Sequence, residues 1–547
     1  MTTYKETRKN HVSGEKMADS DSCHKSLALK RQCGSTLNPA GEPVVPPALP
    51  STSNLNNVLW LVGAAFFMES LDTTILNTAV PAVAAALKVT PLSMKSVLAS
   101  YTLSLAVFIP ISGWMADRFG TRRVFASAIG LFTVASLLCG LTSDIHALVA
   151  CRVLQGCGGA MMVPVGRLTL LRTFAKSELI RAIGFVQIPG LIGPMLGPIV
   201  GGVIVGYLHW RLIFFVNIPI GLLGLLMVYL HLPDFRERRT PPLDIVGLVV
   251  FGSGVGLLSY VLEVSGEHTT SAGRIAMLLG VSVSLLSGYW LHARLIKFPL
   301  LRLNLLRIRT FGIAVIGGYL TRLGIGGVSF LLLLLCQIGL GFTPVQSGLL
   351  IMPQAVAAVA LKFLTPPIVA RLGYRAVLIL NTLIIGIMLL LFATIGLHTA
   401  AWTIVLITLF YGAFTSLQFT SMNTLAYADI SEGETSMASS VFSTMQQMSI
   451  SFGVTCAGLA TEVFVPPGLQ VGRGQMIHGI QESFLVLGAF TLASAAIFSK
   501  LQNADGENVI YSTPRRDSTL TTQLRGMSRW AKPFRGESNA EVRLPQN

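Results

Sequence analysis

Two acidic side chains stand in a stretch of the sequence that is otherwise nearly all apolar. Glu69 and Asp72 lie in "MESLDTTILNTAVP", within the apolar run that extends from Val58 to Leu87. A carboxylate held away from water costs on the order of several kcal/mol unless it is paired, hydrated or protonated. Residues three apart share a helix face, so both acids lie on one side of a helix. They therefore either bind neighbouring polar groups for structure, or exchange protons at a buried site.

The composition indicates that a membrane surrounds these acids. The chain is 52% hydrophobic and 12% charged, with a mean hydropathy of +0.65, whereas soluble domains carry about 25% charged residues. Apolar stretches of the roughly 20 residues that span a bilayer recur fourteen times, from 57–86 to 481–499. Runs such as "FLLLLLC" lack the alternation of barrel strands. The sequence predicts an all-α integral membrane protein with fourteen transmembrane helices.

The net charge of +15 is explained by membrane topology. The basic residues lie in the tails and in short loops such as "DRFGTRRV" and "ARLGYR", and these alternate with loops poor in bases such as "LTSDIH". No face interleaves basic and aromatic residues, so no nucleic-acid partner is expected. The positive-inside rule places both termini in the cytoplasm, as an even number of helices requires.

The two ends of the chain are polar and are predicted to be disordered cytoplasmic tails, at 1–54 and 501–547. The first tail does not resemble a signal peptide, so the first helix is expected to direct insertion. The seven cysteines form no CxxC pair, and no phosphate-binding glycine loop or activated nucleophile is evident. We therefore expect no cofactor, no metal and no enzymatic activity.

One short loop combines glycine, acid and bases in a fixed order. It reads "GWMADRFGTRRVF" at 113–125, and its marked residues are Gly113, Asp117, Arg118, Gly120, Arg122 and Arg123. A basic turn that sets topology would explain the arginines alone. Ion pairs across an interface would explain the order as well. A related segment, "PPIVARLGYRAVL" at 366–378, indicates an internal repeat, which is typical of transporters with a central binding site.

A glycine and proline repeat marks the fifth predicted helix. The segment "GLIGPMLGPIVGG" has small residues at i, i+4 and i+8, which allow close helix contact, while proline bends the helix. The residues concerned are Gly193, Pro194, Gly197, Pro198, Gly201 and Gly202. A general helix-pairing motif would explain the glycines but not the paired Gly-Pro steps.

Two arginines also lie within predicted helices. Arg152 opens "CRVLQGCGGAMMVPVGRL" and either snorkels to the interface or lowers the pKa of Asp72. Arg322 lies about 13 residues into its helix, roughly 20 Å deep at about 1.5 Å per residue. At that depth it needs a partner from another helix or from water. Glu69 and Asp72 are the acids of matching depth, so the sequence predicts a bridge to one of them.

These segments resemble the major facilitator superfamily, and within it the fourteen-helix drug:proton antiporter family. The loop is similar to the family's G-x-L-A-D-R-x-G-R-R, with Met115 for Leu and Thr121 for Arg. The Arg152 segment matches R-x-x-Q-G-x-G-x-A, and "LDTTILNTAVP" and "HWRLIFFVNIPIG" match further family stretches. The resemblance extends over about residues 55–500.

The resemblance implies a fold and a domain order. The major facilitator fold would consist of two six-helix bundles, at 55–235 and 301–500, with two inserted helices at 236–300. The loop at 113–123 would hold the bundles together on the cytoplasmic side, and the Gly193–Gly202 motif would mark an antiporter. Asp72, Glu69, Arg152 and Arg322 are the predicted proton-coupling and transport residues.

The implied function is proton-coupled export of amphipathic or cationic small molecules by alternating access. The implied partners are the substrate, protons and lipid, and the protein is expected to be a monomer in the plasma (bacterial inner) membrane, with or without a periplasmic adaptor protein. Export of one specific metabolite, lipid or siderophore remains an alternative. A transporter-like receptor or scaffold is an alternative of another class, because both tails are long.

Overall fold

The computed structural model describes residues 52–174, 176–237, 240, 242–265, 271–431, 434–465, 472–506 and 508. Most of the two predicted tails therefore lies outside the described residues. The predicted first tail extends to residue 54, whereas the first helix already begins at Thr52.

The described part of the chain forms fifteen α-helices. The first seven are α1 Thr52–Leu87, α2 Met94–Phe119, α3 Thr121–Leu141, α4 Ile145–Thr173, α5 Lys176–Tyr207, α6 Leu212–Phe215 and α7 Asn217–His231. The others are α8 Ile245–Val264, α9 Ala272–Leu295, α10 Arg309–Gly326, α11 Val328–Leu334, α12 Pro344–Phe392, α13 Ala401–Ala426, α14 Thr435–Phe464 and α15 Arg473–Phe498. We refer to α1–α7 as the first helix group, α8–α9 as the inserted pair and α10–α15 as the last helix group.

Thirteen helical segments of the described residues are long and apolar enough to cross a membrane. The predicted helix at 437–462 is present as α14 but is not among them, because it is rich in serine, threonine and glutamine. Its polar side chains are buried between helices, and several bond to their own backbone: Thr455 donates to the Ser451 carbonyl at 3.1 Å and Thr461 to the Ala457 carbonyl at 2.9 Å. α14 therefore lies within the bundle, where most of its polar groups are bonded, although the buried hydroxyls of Ser440 and Thr444 have no hydrogen-bond partner among the described residues.

Two glycines make the sharp turns between paired helices. Gly120 separates α2 from α3 with φ of 97°, and Gly373 interrupts α12 with φ of 74°. This left-handed region is open mainly to glycine. α12 therefore consists of two helical parts, 344–372 and 374–392, which meet at the non-helical Gly373. Both glycines occupy the same position in the two related loops, so the sequence repeat coincides with a repeated turn.

The helix groups meet along two helix pairs. α2 packs against α14, and α5 packs against α12. The inserted pair lies beside the first of these contacts, since α8 also packs against both α2 and α14. Within each group the main pairs are α1 with α5, α2 and α3 with α4, α12 with α13, and α10 with α14 and α15. Asp72 and Arg322 therefore lie in different groups, on α1 and α10.

The inserted pair is held together by Asp244, just before α8. Its carboxylate accepts hydrogen bonds from the backbone N–H groups of Gly247 at 2.7 Å and Leu300 at 3.1 Å, and it contacts His292 Nε2 at 2.9 Å. Burial alone would raise the pKa of Asp244, but the bonds from His292 and the two N–H groups outweigh it and lower the pKa below its usual value. This carboxylate anchors both ends of the α8–α9 hairpin.

Candidate transport site

A buried ion pair joins α1 to α4 at the centre of the first helix group. Arg152 Nη1 lies 2.6 Å from Asp72 Oδ2, and each side chain is 1% exposed. Arg152 also donates to Gln155 Oε1 at 2.7 Å, and its guanidinium carbon lies 4.3 Å from the centre of the Tyr101 ring. Arg152 does not snorkel to the interface, because its charge is compensated inside the bundle.

The remaining bonds to Asp72 come from two amides. Gln155 Nε2 and Asn217 Nδ2 each donate to Asp72 Oδ1 at 2.8 Å. Gln155 Nε2 also donates to Ser136 Oγ at 2.8 Å. Asp72 therefore accepts three hydrogen bonds, one of them charge-assisted, which is the arrangement a buried carboxylate needs to stay in hydrocarbon surroundings.

Sequence reasoning missed the roles of Asn217 and Tyr101 in this network. Asn217 stands in "HWRLIFFVNIPIG", quoted above only as a family stretch, and it is the first residue of α7. A lone amide in an apolar segment needs a hydrogen-bond partner, and this was the available signal. Tyr101 offers no sequence signal beyond an aromatic residue in α2.

Glu69 lies one turn from Asp72 on α1, as its spacing predicts. Its Oε2 atom is buried and has no hydrogen-bond partner among the described residues. A carboxylate oxygen buried without a partner is unfavourable unless a cation or a proton reaches it. Glu69 thus has an open carboxylate oxygen, that is, one without a hydrogen bond, whereas both carboxylate oxygens of Asp72 accept hydrogen bonds.

Arg322 does not bridge to either acid. Its Nη2 donates to Asn423 Oδ1 at 3.0 Å, and its guanidinium carbon lies 5.1 Å from the Phe419 ring centre and 5.2 Å from that of Phe442. Asp72 is instead engaged by Arg152 from α4. The prediction of a bridge to Asp72 or Glu69 is wrong for this conformation, because depth in a helix does not specify the direction in which a side chain points.

The loop at 113–123 bonds within the first helix group. Asp117 Oδ1 accepts from Arg172 Nη2 at 2.8 Å, and the same nitrogen lies 3.1 Å from Glu237 Oε1. Arg122 donates its backbone N–H to Asp234 Oδ1 at 3.1 Å and its side chain to the Tyr229 carbonyl. These bonds connect the loop to α4 and to the segment after α7. Its predicted role between the two bundles stays a prediction.

Glycine packing brings α5 against α1. A Cβ at Gly193 would lie 2.9 Å from the Leu71 nitrogen, and one at Gly201 would lie 2.6 Å from the Ile75 carbonyl oxygen. Both distances are too short for a side chain, so α5 holds the α1 segment that carries the two acids. Gly202 faces the last helix group, where a Cβ would lie 2.7 Å from the Pro344 carbonyl oxygen, and the Pro198 carbonyl oxygen packs against Gly348 of α12.

Hydrogen bonds of three side chains connect the first and last helix groups in the described part of the chain. Lys95 of α2 forms an ion pair with Glu462 of α14, Ser451 Oγ donates to the Ala99 carbonyl at 2.9 Å, and Gln337 Nε2 donates to the Thr78 carbonyl at 2.9 Å. All three lie nearer the end of the bundle where α2 begins. We call this the Lys95 end and the opposite one, which carries the 113–123 loop, the Asp117 end.

The Lys95 ion pair is deeply enclosed. Lys95 is 2% exposed and Glu462 17%, and Lys95 Nζ also lies 3.4 Å from the Glu263 carbonyl oxygen at the end of α8. Gly458, one turn before Glu462, leaves the space for the lysine stem, since a Cβ there would lie 2.6 Å from Lys95 Cδ. One lysine therefore ties the two helix groups and the inserted pair together.

Comparison with known proteins shows which family this chain resembles. The family model described as Major Facilitator Superfamily matches residues 62–454. The putative multidrug resistance protein MdtD of Pectobacterium carotovorum subsp. carotovorum (strain PC1) is 39% identical over 445 residues, which cover 81% of this chain and 95% of that protein. The protein of the same name from Escherichia coli O9:H4 (strain HS) is 38% identical over 460 residues, 84% and 98% of the two chains.

Solved structures share the fold at low identity. A POT family transporter in complex with a thioalcohol-conjugated peptide matches with a TM-score of 0.61 at 16% identity, over 80% of this chain and 94% of that one. A D-xylose-proton symporter matches with a TM-score of 0.58 at 14% identity, over 82% and 99%. The helical bundle and its buried polar centre define an integral membrane protein of the transporter class. The chain belongs to the major facilitator superfamily.

Proposed function

We propose that the protein is a proton-coupled exporter of amphipathic or cationic small molecules. The names of the MdtD relatives support multidrug efflux, and family membership supports transport as the activity in place of an enzymatic reaction. The observation that carries the proposal is the buried Asp72–Arg152 pair beside the open carboxylate of Glu69. Together they provide a site where a proton and a cation compete.

The pair offers a physical route to coupling. A proton that reaches Asp72 neutralises the carboxylate and leaves Arg152 held by Gln155 and the Tyr101 ring alone. Because a buried guanidinium without a counter-charge is unfavourable, a rearrangement of the helices around it then lowers the free energy. A cationic cargo at Glu69 would favour the charged state of the acids and so oppose proton binding. Cargo and proton would therefore be carried in opposite directions.

In an alternating-access cycle, each end of the bundle faces one side of the membrane. With both termini in the cytoplasm, as the positive charges favour, the Asp117 end faces inward and the Lys95 end outward. The ion pair of Lys95 with Glu462 would then close the outward side in this state. We further propose that the first and last helix groups correspond to the 55–235 and 301–500 bundles, and that a monomer in the plasma membrane carries out the cycle.

Transport from inverted vesicles tests the proposal. Energised vesicles that contain the protein should accumulate ethidium and other cationic dyes, and an uncoupler should abolish the accumulation. Vesicles from cells without the protein provide the background. If accumulation survives the uncoupler, proton coupling is wrong. If one metabolite, lipid or siderophore is transported and no dye is, the specific-exporter alternative holds. Binding without transport would favour the receptor alternative.

A further inference from the structure

The charges buried in the two helix groups are not alike. The first group contains an acid with an open oxygen, Glu69, and its buried Arg152 is paired with Asp72. In the last group, the buried Arg322 has no ion-pair partner among the described residues. Uncompensated groups of opposite charge are thus buried in the two helix groups.

Arg322 is deeply enclosed. It is 2% exposed, and its Nε has no hydrogen-bond partner in the described structure. Within the described residues, its hydrogen bond to a side chain is the neutral one to Asn423 Oδ1, at 3.0 Å. A buried guanidinium normally has a carboxylate or several acceptors, because an unpaired buried charge is costly. The site therefore lacks an anionic partner.

The surroundings of Arg322 are shaped to keep the guanidinium in place. Gly318, one turn earlier on α10, leaves room for it, since a Cβ there would lie 2.8 Å from Arg322 Nη1. The Phe419 and Phe442 rings flank it from α13 and α14. Asn423 is itself exposed and supplies the polar contact to the guanidinium. An exposed amide in a membrane helix is expected to face water in a cavity and not lipid tails.

We propose that Arg322 is an anion-binding subsite for the cargo, which takes a carboxylate, sulfonate or phosphate group of an aromatic or amphipathic molecule. The anion would displace Asn423 Oδ1 and receive two parallel N–H bonds from the guanidinium, the geometry in which arginine binds such groups most strongly. Phe419 and Phe442 would contact the apolar part of the same molecule. The cargo range then includes organic anions and zwitterions in addition to cations.

This inference rests on the proposed function, because it assumes that cargo passes between the two helix groups. The test uses the purified full-length protein in mild detergent and measures fluorescence anisotropy with two probes, carboxyfluorescein as the anion and ethidium as the cation. The variants are Arg322→Gln, which removes the charge, and Arg322→Lys, which retains it. Lys362→Gln is the matched control, since it removes one positive charge from a membrane span of the same helix group.

Arg322→Gln should weaken carboxyfluorescein binding roughly tenfold or more, as expected for the loss of a charge-assisted bond. Ethidium affinity should not change, and Arg322→Lys should keep most of the anion affinity. Arg322→Gln should also be at least as thermally stable as the parent, because it removes an uncompensated buried charge. A purely structural arginine would instead lower the stability and the binding of both probes.

Several outcomes would overturn the subsite. The proposal fails if the parent does not bind carboxyfluorescein, or if Arg322→Gln binds it as tightly as the parent. It also fails if Lys362→Gln loses as much carboxyfluorescein affinity as Arg322→Gln, because that would indicate a diffuse positive field. Displacement by sulfate as readily as by unlabelled fluorescein would assign the site to an inorganic oxyanion in place of cargo. If ethidium is still exported in any of these cases, the proposed function stands and only the anion subsite fails.

Discussion

The Asp72–Arg152 ion pair gives a quantitative prediction through a double-mutant cycle. Each side chain is 1% exposed, so Asp72→Asn leaves Arg152 charged and buried, and Arg152→Gln leaves Asp72 in the same condition. Breaking a buried pair from one side costs about 3–5 kcal/mol. The double variant removes both charges, and its Asn and Gln side chains can still form hydrogen bonds with Gln155 and Asn217. The two single losses should therefore not add.

We expect a coupling free energy of at least about 2 kcal/mol between the two positions, a factor of roughly 30 in the unfolding equilibrium. The assay is the unfolding of the four proteins in mild detergent, with proton-driven ethidium transport measured on the same samples. All three variants should fail to transport, although the double variant regains stability. Additive stability losses would refute the ion pair as the organising contact, and transport by the double variant would refute its role in coupling.

Three further predictions follow from contacts outside this pair. Glu462→Gln should weaken the contact with Lys95 and shift the protein toward the state open at the Lys95 end, measured as faster labelling of a cysteine placed at that end; unchanged labelling would show that the pair does not hold the groups together. Gly202→Leu should stop transport but preserve ethidium binding, because the side chain would overlap the Pro344 carbonyl oxygen; parallel loss of both would indicate misfolding. Asp244→Asn should lower thermal stability at neutral pH. Because the pKa of Asp244 is lowered in the folded state, the difference in stability between parent and variant should vanish as the pH falls through that pKa. A difference in stability that grows in acid would contradict the stabilising role of the charged carboxylate.

Much of the fold could be predicted because hydropathy and loop chemistry act locally. The apolar stretches form helices near the expected bounds, and α14 was predicted among them although it is rich in serine and threonine. Gly120 and Gly373 could be recognised as turns from the repeated loop. Helix positions and turns could be predicted because each depends on residues that are close together in the sequence.

The pairing of buried charges was predictable only in part. Asp72 and Arg152 lie together, which agrees with one of the two interpretations of Arg152, whereas Arg322, whose depth matches that of Asp72, bonds to Asn423. Depth follows from residue number, but direction depends on how α10 is rotated against α13 and α14. Lys95 and Glu462 are 367 residues apart, and the glycine that admits the lysine is visible only in three dimensions.

The most direct test of the account is proton release on cargo binding. Ethidium is added to the purified protein in a weakly buffered solution, and the change in pH is measured for the parent and for Asp72→Asn at equal occupancy. The account predicts proton release by the parent and a markedly smaller release, without gradient-driven transport, by Asp72→Asn. Equal proton release together with equal transport driven by a pH gradient would contradict the claim that the buried acid couples protons to export.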